Sequence, residues 1–398
     1  MIKVEVMELY LREIAKELSL PALLLDLDAF DENCKQIANK ANGKTIRVAT
    51  KSIRSIPVLK RIFQMSPLFK GVMCYSPQEA IFLAKQGFDD ILIGYPAWDD
   101  SAHREIAKLT EQGCKISLMV DSIEQVEHLS NIAEKEKGYF RLCIDTDMST
   151  SFGKLHFGVR RSPLKTAEDA VRLARKIKET PRVKLIGVMG YEAQIAGVGD
   201  RLPNQTMKNL AITYMKKRSI RPIKQRRKKI IQSLEKEGFR LELVNGGGTG
   251  SLSTTTKEKA VTEVTAGSGF YAPLLFDYYR DFRYSPALFF ALPVVRKPAP
   301  KIYTCLGGGY VSSGPHGADK VPQPVYPPNG KLLPHEGAGE VQTPIFYEKE
   351  TLEIGDAIIF RAAKAGEICE RFNEMICISD GKIVDRFLTY RGEGKCFL

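Results

Sequence analysis

Eight short apolar runs, each typical of a buried strand, recur between residues 45 and 265 with amphipathic segments between them. In chain order they are Thr45–Thr50, Gly71–Tyr75, Ile91–Tyr95, Ile116–Val120, Phe140–Asp145, Lys184–Met189, Leu241–Val244 and Val261–Thr265. The segments between them have helical period, and Ser76 and Asp121 stand where helix N-caps are expected. Eight strands alternating with helices over roughly 240 residues predict a (β/α)8 barrel, a TIM barrel.

A doubly wound open sheet is the alternative for such an alternation of strands and helices. That fold would require a phosphate-binding loop after its first strand. Here the glycine-rich loops follow the last two runs instead, at residues 245–251 and 266–271. The sequence therefore favours the barrel.

The pattern changes after Asp277. Residues 285–398 contain short alternating runs separated by turns rich in Gly and Pro, including Asp380-Gly381 before the last run. The runs are Tyr303–Cys305, Ala357–Arg361, Met375–Ser379 and Ile383–Leu388. A helix is expected only over Gly366–Glu374. The predicted fold class is therefore α/β, with the barrel followed by a mainly β domain.

The domain boundaries follow from this change of pattern. We predict a barrel domain over residues 1–284, whose opening segment 1–28 could pack on the second domain, and a mainly β domain over residues 285–398. Residues 1–20 are predicted to form an amphipathic helix, and residues 311–345 a long loop. The apolar residues of that helix are Met7, Leu11, Ile14 and Leu18.

Lys51 directly follows the first of the eight runs. The carboxyl ends of barrel strands carry the chemistry of such folds, and a lysine amine can form a Schiff base with a carbonyl group. Because the chain has 59 Lys and Arg residues, Lys51 taken alone is more simply a surface cation. The two glycine-rich loops change that balance.

The loops Asn-Gly-Gly-Gly-Thr-Gly-Ser, ending at Ser251, and Ala-Gly-Ser-Gly-Phe-Tyr, ending at Tyr271, follow the seventh and eighth runs. Glycines let backbone amides converge on an anion, and Thr249 adds a hydroxyl donor. Loops after the seventh and eighth strands are where (β/α)8 barrels bind phosphate. An amine and a phosphate site at one barrel mouth suit pyridoxal phosphate, which needs an amine for its aldehyde and an anion site for its phosphate.

This order of features resembles the fold-type III pyridoxal-phosphate enzymes with an alanine racemase-like N-terminal barrel, and within them the D-threonine aldolase and D-serine dehydratase branch. Pro21–Asp28 is similar to that branch's opening strand, and Arg47-Val-Ala-Thr-Lys51 stands where its Arg-Pro-His-x-Lys motif lies. The resemblance implies that Lys51 holds the cofactor as a Schiff base. The segment from Gly187 to Glu192 is similar to the branch's Gly-x-x-x-Tyr-x-Gly-His, which implies that Tyr191 lines the cofactor pocket.

The same resemblance implies the other cofactor-binding residues, which lie in the two glycine-rich loops. They are Gly247, Gly248, Thr249, Gly267, Ser268 and Tyr271.

The chain departs from the branch at several positions that bear on the reaction. Ala49 replaces the histidine of the lysine motif, and Ala193-Gln194 replaces the Gly-His pair after the tyrosine. His156 stands in place of an arginine. It could approach the cofactor ring, or make an ordinary loop hydrogen bond. Together with Lys51 and Tyr191 it completes the predicted catalytic set.

The metal motif of the branch, with His and Cys or Asp two apart, reads Glu367-Ile-Cys369 here. A glutamate and a thiolate could hold a divalent metal, but the ligand set is unusual, so metal binding stays open. His335-Glu336 could add a ligand or a base, or be a surface pair.

Four further charged residues could serve the site. Arg160 or Arg161 could bind a substrate carboxylate. Asp145 and Asp147, at the end of the fifth run, could orient Lys51 or an arginine, or act only as caps.

The net charge of +12 comes largely from one basic run, Met215–Lys229, in which Pro222 is expected to break the helix. Without interleaved aromatic residues the run predicts a solvated face rather than a nucleic-acid or membrane partner. Eight cysteines without a paired spacing, and a charged N-terminus, predict a cytoplasmic protein.

We therefore predict a pyridoxal-phosphate-dependent lyase, an aldolase or dehydratase acting on a D- or β-hydroxy amino acid. An amino-acid racemase is the alternative. A cofactor carrier without turnover, which would lack a second domain, and a phosphosugar aldolase are rival hypotheses. The resemblance implies a homodimer.

Overall fold

The computed structural model describes residues 10–315, 317–349 and 351–398. The chain divides into two compact units. The barrel unit comprises residues 37–51, 63–267 and 397–398, and the sheet unit comprises the rest. The helical position predicted for Met7 lies outside the described residues, and the predicted boundary at residue 284 stays a prediction.

The barrel unit contains a closed barrel of eight strands, which confirms the predicted fold. In chain order the barrel strands, called first to eighth below, are Thr45–Ala49, Phe69–Cys74, Ile91–Ile93, Ile116–Val120, Phe140–Asp145, Val183–Gly190, Leu243–Gly246 and Glu263–Ala266. All neighbours pair in parallel, and the first strand closes on the eighth with Val48 opposite Ala266.

A buried ion pair fixes this closure. Arg47 of the first strand is 1% exposed, and its Nε lies 2.7 Å from the Glu263 carboxylate on the eighth strand. A second guanidinium nitrogen lies 3.0 Å from the Asp90 carboxylate. Because a buried guanidinium needs its hydrogen-bonding partners to be in place, the pair holds the strand that precedes Lys51 in register.

Gly187 lets the sixth and seventh strands pack closely. A Cβ added at Gly187 would lie 2.5 Å from the Leu243 carbonyl oxygen, closer than real Cβ atoms approach backbone. The glycine that begins the Tyr191 segment is therefore explained by packing between barrel strands.

Helices alternate with the barrel strands, and those that begin after Ser76, Asp99, Ser122 and Thr166 have a side-chain N-cap at that residue. Within the barrel unit they are Pro77–Lys85, Asp100–Glu111, Ile123–Lys135, Ala167–Glu179, Ala193–Ala196, Thr206–Lys236 and Leu252–Thr255, while Leu27–Asn39 and Ile56–Met65 contain residues of both units. Ser76 caps its helix as predicted, with Pro77 in the first position. The prediction of Asp121 as a cap was wrong, because Ser122 and Gln125 form a reciprocal capping box one residue later.

The basic run lies within one helix of 31 residues, Thr206–Lys236, which continues through Pro222. The predicted break is therefore wrong. Pro222 is exposed, so the carbonyl that loses its amide partner can be hydrated. The prediction of a solvated face is also wrong for Lys216, which pairs with Asp200 at 3.5 Å, and for Arg227, which is 1% exposed.

Among its described residues, the sheet unit contains nine strands in one mainly antiparallel sheet. They are Ala22–Asp26, Leu288–Ala299, Ile302–Leu306, Gln323–Tyr326, Lys331–Leu332, Gln342–Phe346, Ala357–Arg361, Glu374–Ser379 and Lys382–Leu388. The opening strand Ala22–Asp26 pairs antiparallel with Leu288–Ala299 and parallel with Glu374–Ser379. The hydrophobic core of the sheet unit includes Leu24, Phe289 and Ile376.

Two predictions for this unit need correction. The predicted loop 311–345 contains the strands Gln323–Tyr326 and Lys331–Leu332, which the Pro-rich sequence concealed. The helix expected over Gly366–Glu374 is a single 3-10 segment, Glu367–Arg371. None of the helices in the described part of the chain is long and apolar enough to cross a membrane.

Candidate active site

Strand order brings Lys51 and the glycine-rich loops to one rim of the barrel. Lys51 lies in the 3-10 turn after the first strand, while Gly248 and Gly267 follow the seventh and eighth strands. The eighth strand pairs with both the first and the seventh. Because all are parallel, their carboxyl ends share one rim, and two interstrand spacings separate the outer strands by about 10 Å.

The loop after the seventh strand is internally hydrogen-bonded. The Gly248 amide donates to Ser251 Oγ at 3.1 Å, and the Gly267 amide donates to Thr249 Oγ1 at 3.4 Å. Gly247 adopts a φ of +83°, in the left-handed region that favours glycine. These contacts join the loops after the seventh and eighth strands into one structure.

A buried carboxylate beneath this loop holds its backbone. Glu192, 1% exposed, accepts hydrogen bonds from the Gly247 amide at 3.2 Å, from Ser251 Oγ at 2.8 Å and from Thr255 Oγ1. The Arg227 guanidinium lies 2.7 Å from the same carboxylate.

Arg227 also links Glu192 to two other groups. It donates to the Gly190 carbonyl at 2.9 Å and pairs with the buried Glu258 carboxylate. Burial raises the pKa of Glu258, although the Arg227 charge opposes that rise. We name Glu192, Arg227 and Glu258 the buried charge cluster. Sequence reasoning missed it, since Arg227 belongs to a run that looked solvent-facing.

Tyr191 packs on the glycine loop. A Cβ at Gly248 would lie 3.0 Å from Ala196 Cβ and 3.2 Å from Tyr191 Cε2, so only glycine leaves both in their observed positions. Burial raises the pKa of Tyr191 to about 12, although the nearby Arg161 charge opposes the rise. The neutral phenol therefore stands beside the loop predicted to bind phosphate.

Lys51 has a tyrosine partner that the sequence interpretation did not include. Its Nζ donates to Tyr95 Oη at 2.7 Å. The Arg161 guanidinium carbon lies 5.6 Å from the ring centroids of both Tyr95 and Tyr191. Tyr95 is the last residue of the third apolar run and Lys51 directly follows the first, so their similar positions at the ends of barrel strands were the signal available in the sequence.

Charge changes the acidity of Tyr95. Burial alone would raise its pKa, but the positive charge and hydrogen bond of Lys51, followed by those of Arg161, outweigh burial and lower the pKa. Lys51 and Arg161 are both exposed to solvent, whereas Tyr95 is half-buried.

Asp145 ends the fifth strand and is buried. Burial, and then the Asp121 carboxylate, raise its pKa from 3.8 to about 7, against the opposing charge of Arg161. The folded protein therefore binds a proton here more tightly than the unfolded chain does, at pH values between about 4 and 7.

We expect Asp145→Asn to stabilise the protein at pH 8 by a few kcal/mol. With its folded pKa raised, Asp145 lowers stability progressively as pH rises from 3.8 to about 7, by at most about 4 kcal/mol, and asparagine cannot ionise. Urea unfolding should show that Asp145→Asn and the wild type are equally stable near pH 4 and that the variant is more stable at pH 8. The control is Glu111→Gln at an exposed position, where no such difference should arise. A stability difference between Asp145→Asn and the wild type that is the same at both pH values would contradict the raised pKa of Asp145.

His156 and Gln194 lie on or beside the hairpin Thr150–Phe152 and Leu155–Phe157. His156 pairs with Ser151, and its Nε2 is buried without a hydrogen-bond partner in the described part of the chain. Gln194, where the branch has histidine, donates to the Met148 carbonyl at 2.7 Å.

Ser268 and Tyr271 belong to the sheet unit. Ser268 Oγ lies 3.0 Å from Ser52 Oγ, and the Tyr271 hydroxyl donates to the Ile53 carbonyl at 3.0 Å. Tyr271 is 1% exposed. Their predicted contact with the cofactor stays a prediction.

The candidate metal ligands do not fit a metal site. Glu367 accepts hydrogen bonds from the Ser313 amide at 2.8 Å and its hydroxyl at 2.6 Å. Burial raises the pKa of the Cys369 thiol to about 12, and His335 is exposed. Among the described residues, no three His, Cys, Asp or Glu side chains converge as metal ligands do.

Comparison with known proteins gives consistent matches. The family model described as "Alanine racemase, N-terminal domain" matches residues 25–273. The 3-hydroxy-D-aspartate aldolase of Paracoccus denitrificans (strain Pd 1222) is 26% identical over 266 residues, covering 66% of this chain and 62% of that protein. The chain thus spans under two thirds of the length of this curated relative.

Two solved structures share the fold over nearly the whole chain. The D-threonine aldolase of Filomicrobium marinum matches with a TM-score of 0.80 and 18% identity, covering 95% of this chain and 96% of that one. The D-threo-3-hydroxyaspartate dehydratase of Delftia sp. HT23 matches with a TM-score of 0.74 and 18% identity, covering 94% and 98%. At these identities the likeness is one of fold.

Proposed function

The chain belongs to the alanine racemase N-terminal domain family, and on that premise we propose that it is a pyridoxal-phosphate-dependent lyase acting on a D- or β-hydroxy amino acid. The relatives support this choice, since the similar proteins are a 3-hydroxy-D-aspartate aldolase, a D-threonine aldolase and a D-threo-3-hydroxyaspartate dehydratase.

The observation that carries the proposal is the shared rim. Lys51 Nζ, the Gly248 loop and Tyr191 all belong to the barrel unit, at the carboxyl ends of neighbouring or nearby strands. A Cβ at Gly248 would crowd Ala196 and the Tyr191 ring, so glycine lets the backbone of the loop predicted to bind phosphate lie close to both. The residues present fit pyridoxal phosphate.

The roles of the residues follow from their positions. Lys51 would hold the cofactor through its amine, and the loop that contains Gly247, Gly248 and Thr249 would hold its phosphate. When bound, pyridoxal phosphate supplies an electron sink for the electron pair left at Cα when a bond to that carbon breaks. Arg161, exposed between two aromatic rings, is placed to bind a substrate carboxylate.

The decisive experiment follows the products. Purified protein with pyridoxal phosphate is incubated with D-threonine, D-threo-3-hydroxyaspartate, D-serine and D-alanine. Glycine from the first two substrates indicates an aldolase, and a keto acid with ammonia indicates a dehydratase. Inverted isomers would favour the racemase alternative instead. Absence of all three products, despite a cofactor absorbance band, would contradict the lyase.

We expect Gly248→Ala to weaken pyridoxal phosphate binding by at least about 10-fold, equivalent to about 1.4 kcal/mol. The new Cβ would push on Ala196 and on the Tyr191 ring and would displace the loop amides. Titration of the cofactor by fluorescence measures the change. Ser253→Ala, at an exposed position five residues later, should bind like the wild type. Equal affinities in the two variants would exclude this loop as the phosphate site.

A homodimer and a cytoplasmic location form part of the proposal; the first rests on the family resemblance and the second on the cysteine usage. Sedimentation equilibrium of the full chain tests the first, and fractionation of cells tests the second.

A further inference from the structure

Tyr95 occupies a distinctive place around the barrel rim. It follows the third strand, Ile91–Ile93, which is two strands from the strand that precedes Lys51. The glycine loop at Gly248 follows the seventh strand, which is two strands away in the other direction. Lys51 therefore lies between the expected phosphate site on one side and Tyr95 on the other.

The pKa values of the two tyrosines near Arg161 are shifted in opposite directions. Tyr191 has a raised pKa of about 12 because burial dominates. In Tyr95 burial is outweighed by Lys51 and Arg161, and the pKa is lowered. Of the two phenols, Tyr95 is the one able to hold negative charge next to the amine.

Two histidines lie near Tyr95. His103 and His128 line the same small cavity as Tyr95. Burial, followed by the neighbouring His128, lowers the pKa of His103 to about 4, which keeps it neutral near pH 7. The 2.7 Å contact with Lys51 Nζ belongs to Tyr95.

We propose that Tyr95 is the catalytic acid–base partner of Lys51, an inference that rests on the proposed function. The Tyr95 phenolate accepts a proton from the Lys51 ammonium, so that one N–H bond breaks and one O–H bond forms. The transfer leaves a neutral amine with the lone pair that bonding to an aldehyde carbon requires. Total charge is unchanged, and the reverse transfer restores the ammonium when the amine is released.

Arg161 is the positioning residue of this pair. Its guanidinium carbon stands 5.6 Å from the Tyr95 ring centroid, and its positive charge and hydrogen bond favour the phenolate. The removal of Arg161 should therefore make Tyr95 a weaker acid, by less than the removal of Lys51 does.

Titration of the cofactor-free, full-length protein tests the assignment first. Tyrosinate absorbance is followed against pH in the wild type, Tyr95→Phe, Lys51→Met and Arg161→Gln, with Tyr139→Phe as a control at a partly exposed tyrosine. The tyrosine that ionises at lowest pH should vanish in Tyr95→Phe and persist in Tyr139→Phe. In Lys51→Met its midpoint should rise by about 1–3 pH units, and in Arg161→Gln by less.

The rate of pyridoxal phosphate capture, followed by visible absorbance against pH, supplies the second measurement. We expect Tyr95→Phe to slow capture about 10²-fold. The change of capture rate with pH that is due to ionisation of Tyr95 should be lost in Tyr95→Phe and retained in Tyr139→Phe. Circular dichroism checks that each variant folds, and the Lys51→Met titration decides the question if Tyr95→Phe does not fold.

Two results would overturn the assignment, and they differ from failure of the proposed function. An unchanged lowest tyrosinate midpoint in Lys51→Met, or capture by Tyr95→Phe at the wild-type rate and pH profile, excludes Tyr95 as the partner. Absence of any capture by the wild type instead contradicts the cofactor itself, and with it the catalytic role.

Discussion

Lys51→Ala is expected to abolish covalent capture of pyridoxal phosphate and to lower lyase activity by at least about 10³-fold. The amine is the group that bonds to the cofactor aldehyde, and alanine offers no nucleophile. The loops that would bind phosphate remain, so the variant should still bind the cofactor weakly and reversibly. Visible absorbance before and after dialysis, together with product formation, measures both effects.

The matched control is Lys70→Ala. Lys70 is exposed near the start of the second barrel strand, whereas Lys51 follows the end of the first, so the two lie at opposite ends of the barrel. Lys70→Ala should retain the cofactor through dialysis. A Lys51→Ala variant that also retains it covalently would place the reactive amine elsewhere and would remove the basis of the proposed function.

The barrel could be predicted from sequence because its determinants are local. Most residues of the barrel strands are buried on both faces, so Ile116–Val120 and Phe140–Asp145 appear as mainly apolar stretches with the observed bounds. Of the glycines after the seventh strand, Gly247 is demanded by local backbone geometry, with a φ of +83°, whereas Gly248 is demanded by packing against Ala196 and Tyr191.

The rest of the site depends on contacts between residues far apart in sequence. Tyr95 approaches Lys51 across 44 positions, and Arg227 approaches Glu192 across 35. Nothing near Arg227 distinguishes it from the exposed Lys228 that follows it. Helical phase decides which of the two is buried, and that phase depended on a helix that the sequence interpretation had ended at Pro222.

Arg227→Met should lower the free energy of unfolding by about 3–5 kcal/mol, because it leaves buried carboxylates without their cation. Glu192 is 1% exposed and Glu258 is 5% exposed, so water cannot replace the guanidinium. Methionine keeps much of the side-chain length, which separates lost charge from lost volume. Urea unfolding measures the change. The control is Lys228→Met at the next residue, which is exposed, and its free energy of unfolding should differ from that of the wild type by less than about 0.5 kcal/mol.

The pH dependence of that loss distinguishes a charge effect from a packing defect. Without Arg227 the two carboxylates should bind protons more tightly in the folded state than in the unfolded chain. Their protonation as pH falls should therefore restore part of the lost free energy of unfolding. The loss should therefore be smaller at pH 5 than at pH 8. Because Glu192 also holds the Gly247 amide and Ser251 Oγ, cofactor affinity should fall along with stability at pH 8. A loss of stability equal at both pH values, with cofactor affinity intact, would mean that Arg227 acts by packing and that the glycine loop keeps its geometry without the buried charge cluster.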